Sequence, residues 1–164
     1  MDFRRLYLSS VGVINRKVWW LGLLGIIVIG FFASIFIGLL IALVGLGTSR
    51  LALNAANLAV SLGTAFLFYT LSVKRLRERG RSLNLALVFS SFMVLTPVLQ
   101  IFGITGGIEE QVLFGQPIEM FTPNGFGQAL GLVNFAIGLW AMIELGIIPA
   151  RPDHANGVSA QKDG

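Results

Sequence analysis

Four long apolar runs decide what this chain can fold into. A hydrocarbon core about 30 Å thick takes about 20 helical residues to cross, and the sequence supplies that length at about 18–44, 51–73, 85–104 and 127–148. The first ("VWWLGLLGIIVIGFFASIFIGLLIALV") is uninterrupted, and the second carries Asn54 and Asn57 but no charge. The third contains a Thr96-Pro97 step expected to kink or loosen it, and the fourth holds one acid, Glu144. Lipid offers backbone amides no partner, so each run is predicted to be a helix. Composition agrees: 55% of the 164 residues are apolar and only 12% charged, about half the charged share of a soluble domain. The expected fold is an all-α polytopic membrane protein with an interfacial segment at 1–17, a four-helix transmembrane domain at 18–148 and a flexible tail at 149–164. The opening "MDFRRLYLSS" has the positive start of a secretory signal. The apolar stretch behind it is too long for one and lacks a small-x-small cleavage site, so the first helix is read as an uncleaved anchor.

Orientation follows from the basic residues beside the helix ends. Arg4, Arg5, Arg16 and Lys17 precede the first run; Lys74, Arg75, Arg77, Arg79 and Arg81 separate the second and third; Arg151 and Lys162 follow the fourth. With an even number of helices these segments share one side, and the other side keeps only Arg50 together with Glu109, Glu110 and Glu119. Both termini are therefore expected in the cytoplasm. The net charge of +4 is small and locally placed, which argues against a nucleic-acid partner.

Two short motifs flank the first two runs. "INRKVWW" (14–20) precedes the first and "KRLRERGRS" (74–82) follows the second. Together they resemble the small bacterial inner-membrane proteins grouped as the domain of unknown function 805 family. The family pattern is Gly-Arg-x-x-Arg-x-x-(Tyr/Trp)-Trp and then Arg-Arg-Leu-His-Asp-x-Gly-Arg-Ser. Gly12, Arg16, Trp19 and Trp20 match the first motif; Arg75, Leu76, Gly80, Arg81 and Ser82 match the second. Val13, the Arg77-Glu78 pair, Leu83-Asn84 and the tail "RPDHANGVSAQKDG" depart from it. The resemblance implies a bacterial inner (plasma) membrane location and no particular activity.

Read from the residues themselves, "ERGRS" is a tight turn in which Gly80 takes a positive φ to end the second helix and Ser82 caps the third. Arg16, Lys17, Lys74, Arg75, Arg77, Arg79 and Arg81 then form a basic face placed for anionic headgroups, each worth about 1 kcal/mol near the surface. Glu144, roughly 6 Å inside the cytoplasmic edge by helical rise, needs a basic partner or a proton. Arg75 is the expected partner, because a guanidinium grips a carboxylate with two hydrogen bonds.

Measured along the helices, Ser34, Asn57, Gln100 and Asn134 fall about 21 to 24 Å deep. They are expected to form a polar layer of interhelical hydrogen bonds, with an outward-facing pocket as the alternative. Small residues four apart (Gly30, Ser34, Gly38 and Ala42; Ala55, Ala59 and Gly63; Gly127 and Gly131) are expected to line helix seams. The segment around Glu109, Glu110 and Glu119 is predicted to be a short interfacial helix with a solvated acidic face rather than a metal site.

Little enzymatic chemistry is visible. The chain has no cysteine and a single histidine, His154, and "GLGTSR" lacks the Gly-Lys-Ser/Thr ending of a phosphate loop. No metal or cofactor is expected. The sequence points to a non-enzymatic membrane protein whose basic face meets lipid, a partner membrane protein or a second copy of itself; a small transporter or channel subunit built on the polar layer is the alternative.

Overall fold

The computed structural model describes residues 6–9, 11–45, 49–113 and 116–149. In chain order these form α1 (Arg16–Leu43), α2 (Arg50–Glu78), α3 (Asn84–Ile101), the strands β1 (Gly106–Leu113) and β2 (Gln116–Pro123), and α4 (Gly125–Ala141), which widens into a π-helix (Met142–Ile147). Four helices, counting α4 with its π-helical extension, are long and apolar enough to cross a membrane. Side-chain caps set three of the starts: Asn15 accepts from the Val18 amide at 2.9 Å, Ser49 from Ala52 at 3.4 Å and Asn124 from Gly127 at 2.8 Å. α3 runs unbroken through Pro97.

The all-α expectation needs one correction. The segment predicted as an interfacial helix is an antiparallel hairpin, paired from Gly106 opposite Pro123 to Leu113 opposite Gln116. Its composition explains why: Gly106 and Gly107 open it, Pro117 and Pro123 punctuate its second half, and β-branched Ile and Val lie between, all of which disfavour a helix. Its base is pinned by Asn124, whose amide donates to Thr105 O at 3.0 Å and whose side chain donates to Ile104 O at 2.9 Å. The side chains of Glu109, Glu110 and Glu119 lie outside the described residues, as do Arg4, Arg5, Arg151, His154, Lys162 and the 150–164 tail.

α2 continues five residues beyond its predicted end at 73, so Lys74, Arg75 and Arg77 are helical rather than part of a loop. The helix closes as a Schellman turn: Gly80 sits at φ +62°, its amide donates to Arg77 O, and the Arg81 amide donates to Leu76 O at 3.0 Å. Ser82 is not the cap expected for α3. Its hydroxyl accepts from the Asn84 amide at 3.4 Å, while Leu83 occupies the cap position without a side-chain bond.

α2 packs between α1 and α3, α4 packs on α3, and the π-helix closes back onto α1 and α2. The core lies at that end, where Trp19, Leu71, Leu76 and Leu145 are fully buried. Towards the hairpin the second half of α1 exposes Phe31, Phe32, Phe36 and Leu43, as a helix facing lipid would. Of the expected small-residue stripes, Gly30 and Gly127 are tightly packed, Gly127 against Thr105 and Pro123, and Gly22 adds a close approach that the stripes do not include. A Cβ at Gly22 would meet Leu71 at 2.7 Å and one at Gly30 would meet Thr64 at 3.0 Å, whereas Gly38, Gly63 and Gly131 have open space.

Candidate functional site

A helix C-terminus leaves carbonyls without intrahelical donors and carries partial negative charge. Here the widened last turn presents five consecutive carbonyls, and side chains from α1, α2 and the residue after α2 take every one. Arg79 Nη1 donates to Glu144 O, Arg75 Nε to Leu145 O at 2.8 Å, Trp20 Nε1 to Gly146 O at 3.1 Å, Arg16 Nη1 to Ile147 O at 3.3 Å, and Arg75 Nη2 to Ile148 O at 3.1 Å. Gly146 permits this approach, since a Cβ there would strike the Trp19 and Trp20 rings at 2.6–2.8 Å. We call this arrangement the collar.

Glu144 is 8% exposed, and its carboxylate is held by Arg79 Nη1 at 2.8 Å and approached by Arg81 Nε at 3.3 Å. Arg75, the expected partner, instead spends its remaining nitrogen on Glu78. Helical phase explains the exchange. Residues 75 and 79 lie four apart on the face turned towards the π-helix, but Glu144 lies at the beginning of the carbonyl series, nearer to Arg79, and Arg75 reaches its far end.

The expected headgroup set therefore divides. Lys74, Arg75 and Arg79 are buried at 1–4% exposure, so protein surrounds them. Arg16, Lys17, Arg77 and Arg81 are exposed. Lys74 Nζ donates to Leu6 O at 2.7 Å, and Thr70 and Tyr7 complete a strap: Thr70 Oγ1 donates to Tyr7 O at 2.8 Å and Tyr7 Oη to Gly22 O at 2.9 Å. Burial pushes the Tyr7 phenol above its ordinary pKa. Sequence reasoning misses the roles of Trp20, Thr70, Tyr7 and the carbonyl series. The Trp19-Trp20 doublet enters it only as part of a motif, and nothing in a sequence marks a carbonyl that accepts from a distant side chain.

The polar layer resolves into separate contacts. Asn57 Nδ2 donates to Gln100 Oε1 at 3.3 Å, Asn134 Nδ2 donates to Thr96 Oγ1, and Ser34 Oγ turns back to Gly30 O of its own helix at 2.8 Å. Asn57 and Gln100 line a crevice of about 550 Å³ that reaches Asn54 and the base of the hairpin. Asn134 lines a different, mostly apolar cavity of about 490 Å³ among all four helices. No family model, curated protein or solved structure matches this chain.

Proposed function

We propose that the chain is a non-enzymatic, multi-pass protein of a bacterial inner membrane that presents a basic cytoplasmic face to anionic lipid headgroups. The observation carrying this reading is the sorting of cations at the collar end. Lys74, Arg75 and Arg79 are buried inside the protein, while Lys17 and Arg77, together with Arg16 and Arg81, which also bond Ile147 O and Glu144, remain exposed around it. The same end supports membership of the domain of unknown function 805 family, because the residues carrying both motifs converge there: Arg16 and Trp20 from the first, Arg75 and Arg81 from the second, all on residues 144–148. A partner membrane protein with an acidic surface would meet the same face.

The test is lipid retention in bilayer discs of mixed phosphatidylglycerol and phosphatidylcholine. Lys17→Gln combined with Arg77→Gln removes two exposed charges, about 2 kcal/mol at about 1 kcal/mol each, so the anionic preference should fall roughly 30-fold. An unchanged preference would remove the lipid reading.

The crevice containing Asn54, Asn57 and Gln100 favours a second reading, a small transporter or channel subunit that takes a polar solute from the hairpin side. It predicts solute flux through liposomes that Asn57→Leu abolishes; absence of flux for any small polar solute tested counts against it.

A further inference from the structure

The apolar cavity among the four helices has three properties that together specify an occupant. It is open at the side of the bundle: Ile27 of α1, Met93 of α3 and Met142 of the π-helix all line it and are all exposed, so an entering group comes from hydrocarbon, not water. At its collar end stands Trp19, fully buried, lining the cavity, with an Nε1–H that has no hydrogen-bond partner. A buried donor without a partner has given up its hydration for nothing, and since Nε1 is closed to a water-sized atom as the ring stands, an acceptor brought by a ligand restores the bond once the indole turns towards the cavity. At its far end Asn134 Nδ2 donates to Thr96 Oγ1, which leaves Asn134 Oδ1 buried without a partner. Along α1 the lining runs from Trp19 to Ile27, about 12 Å at 1.5 Å per residue.

Depth supplies the remaining constraint. Trp19 lies less than one turn of α1 further from the collar end than Arg16 and Lys17, roughly 3–5 Å along the axis. A molecule whose phosphate met those two cations would place the next polar atoms, the ester carbonyls, at the level of the indole, and its chains beyond. An ester carbonyl is an acceptor only, which suits a group that is a donor only. The cavity volume lies within the usual range for small-molecule sites, about 300–1,000 Å³.

We propose that this cavity holds one acyl chain of a phospholipid from the leaflet at the collar end, with an ester carbonyl accepting from Trp19 Nε1 and the chain running between α1 and α4 as far as the Thr96–Asn134 pair. For the direction of the headgroup this rests on the proposed basic face; the cavity itself does not. The site makes the protein a holder of one lipid molecule, of either headgroup, rather than a surface brushed by many.

Gly138 provides the test, because it lines the cavity and a Cβ added there would meet nothing within 4 Å, as is also true of Gly131 outside the cavity. Gly138→Leu adds a side chain at the lining where the first carbon meets no wall atom within 4 Å, and Gly131→Leu is the matched control. Each variant, and Trp19→Phe, is taken from the mixed-lipid discs above, its helicity and melting are checked, and bound species are counted by native mass spectrometry. Gly138→Leu should lose the tightly held lipid at least tenfold, phosphatidylglycerol and phosphatidylcholine alike, with Gly131→Leu unchanged; Trp19→Phe should lose it several-fold. The charge-removed variant should shift headgroup preference while keeping the bound lipid. Equal retention by Gly138→Leu and the parent protein overturns the proposal even if the headgroup preference is confirmed. A non-phospholipid mass that disappears in Gly138→Leu overturns the choice of occupant.

Discussion

Arg75 on α2 and Arg79 just after it stand four residues apart and turn inward, while Arg77 between them turns out. The same guanidinium therefore has two very different values. Removing one member of a buried, hydrogen-bonded pair strands the other and costs about 3–5 kcal/mol, whereas an exposed cation, even one engaged at the surface, contributes about 0–1 kcal/mol. Arg79→Met should lower the melting point in detergent sharply and Arg77→Met should leave it nearly unchanged, and equal effects would mean that the collar contributes no stability. Glu144 gives the complementary experiment. Glu144→Ala deprives Arg79 and Arg81 of their carboxylate, and Glu144→Gln keeps an acceptor in place, so the glutamine variant should melt between alanine and the parent protein. That a lone acid near a helix end needs a cation is legible in the sequence. Which arginine supplies it is not, because the choice turns on where α2 ends.

Element by element, legibility follows the strength of the periodic signal. The four helices announce themselves by length and apolarity, and Gly80 announces the turn. Sequence places the end of α2 too early because charge reads as the limit of a membrane helix, yet Lys74 and Arg75 are buried by the collar and the strap rather than by lipid. The hairpin is misread because its acids suggest a solvated helix, while its glycines and prolines are what decide backbone conformation. The turn glycine invites a direct measurement. At φ +62° a Cβ costs about 1–2 kcal/mol, so Gly80→Ala should destabilise the protein. Gly131→Ala, in open space on α4, should be neutral or stabilising by up to about 1 kcal/mol. A stabilising Gly80→Ala would show that the Schellman turn does not form.

At the scale of the whole molecule, the predicted threading places the collar in the cytoplasm and the hairpin outside. Reporter fusions after Arg81 should read cytoplasmic and fusions after Gly115 external; the reverse pattern would invert the basic-face proposal along with the topology. Packing is lopsided along the helix axes, dense at the collar and sparse where α1 exposes its phenylalanines, so amide exchange should be slowest in residues 71–76 and faster in the second half of α1. The collar also has a temporal side. Its donors are made early, on α1 and α2, and its acceptors late, on the final turn of the fourth helix. While a ribosome is still synthesising the intervening chain, Arg75 and Arg79 have no collar carbonyls to bind and must find other partners or stay hydrated. Burial of those two arginines therefore marks the moment at which the last helix has arrived, and a nascent chain arrested before Met142 would keep both of them reactive to guanidine-directed reagents.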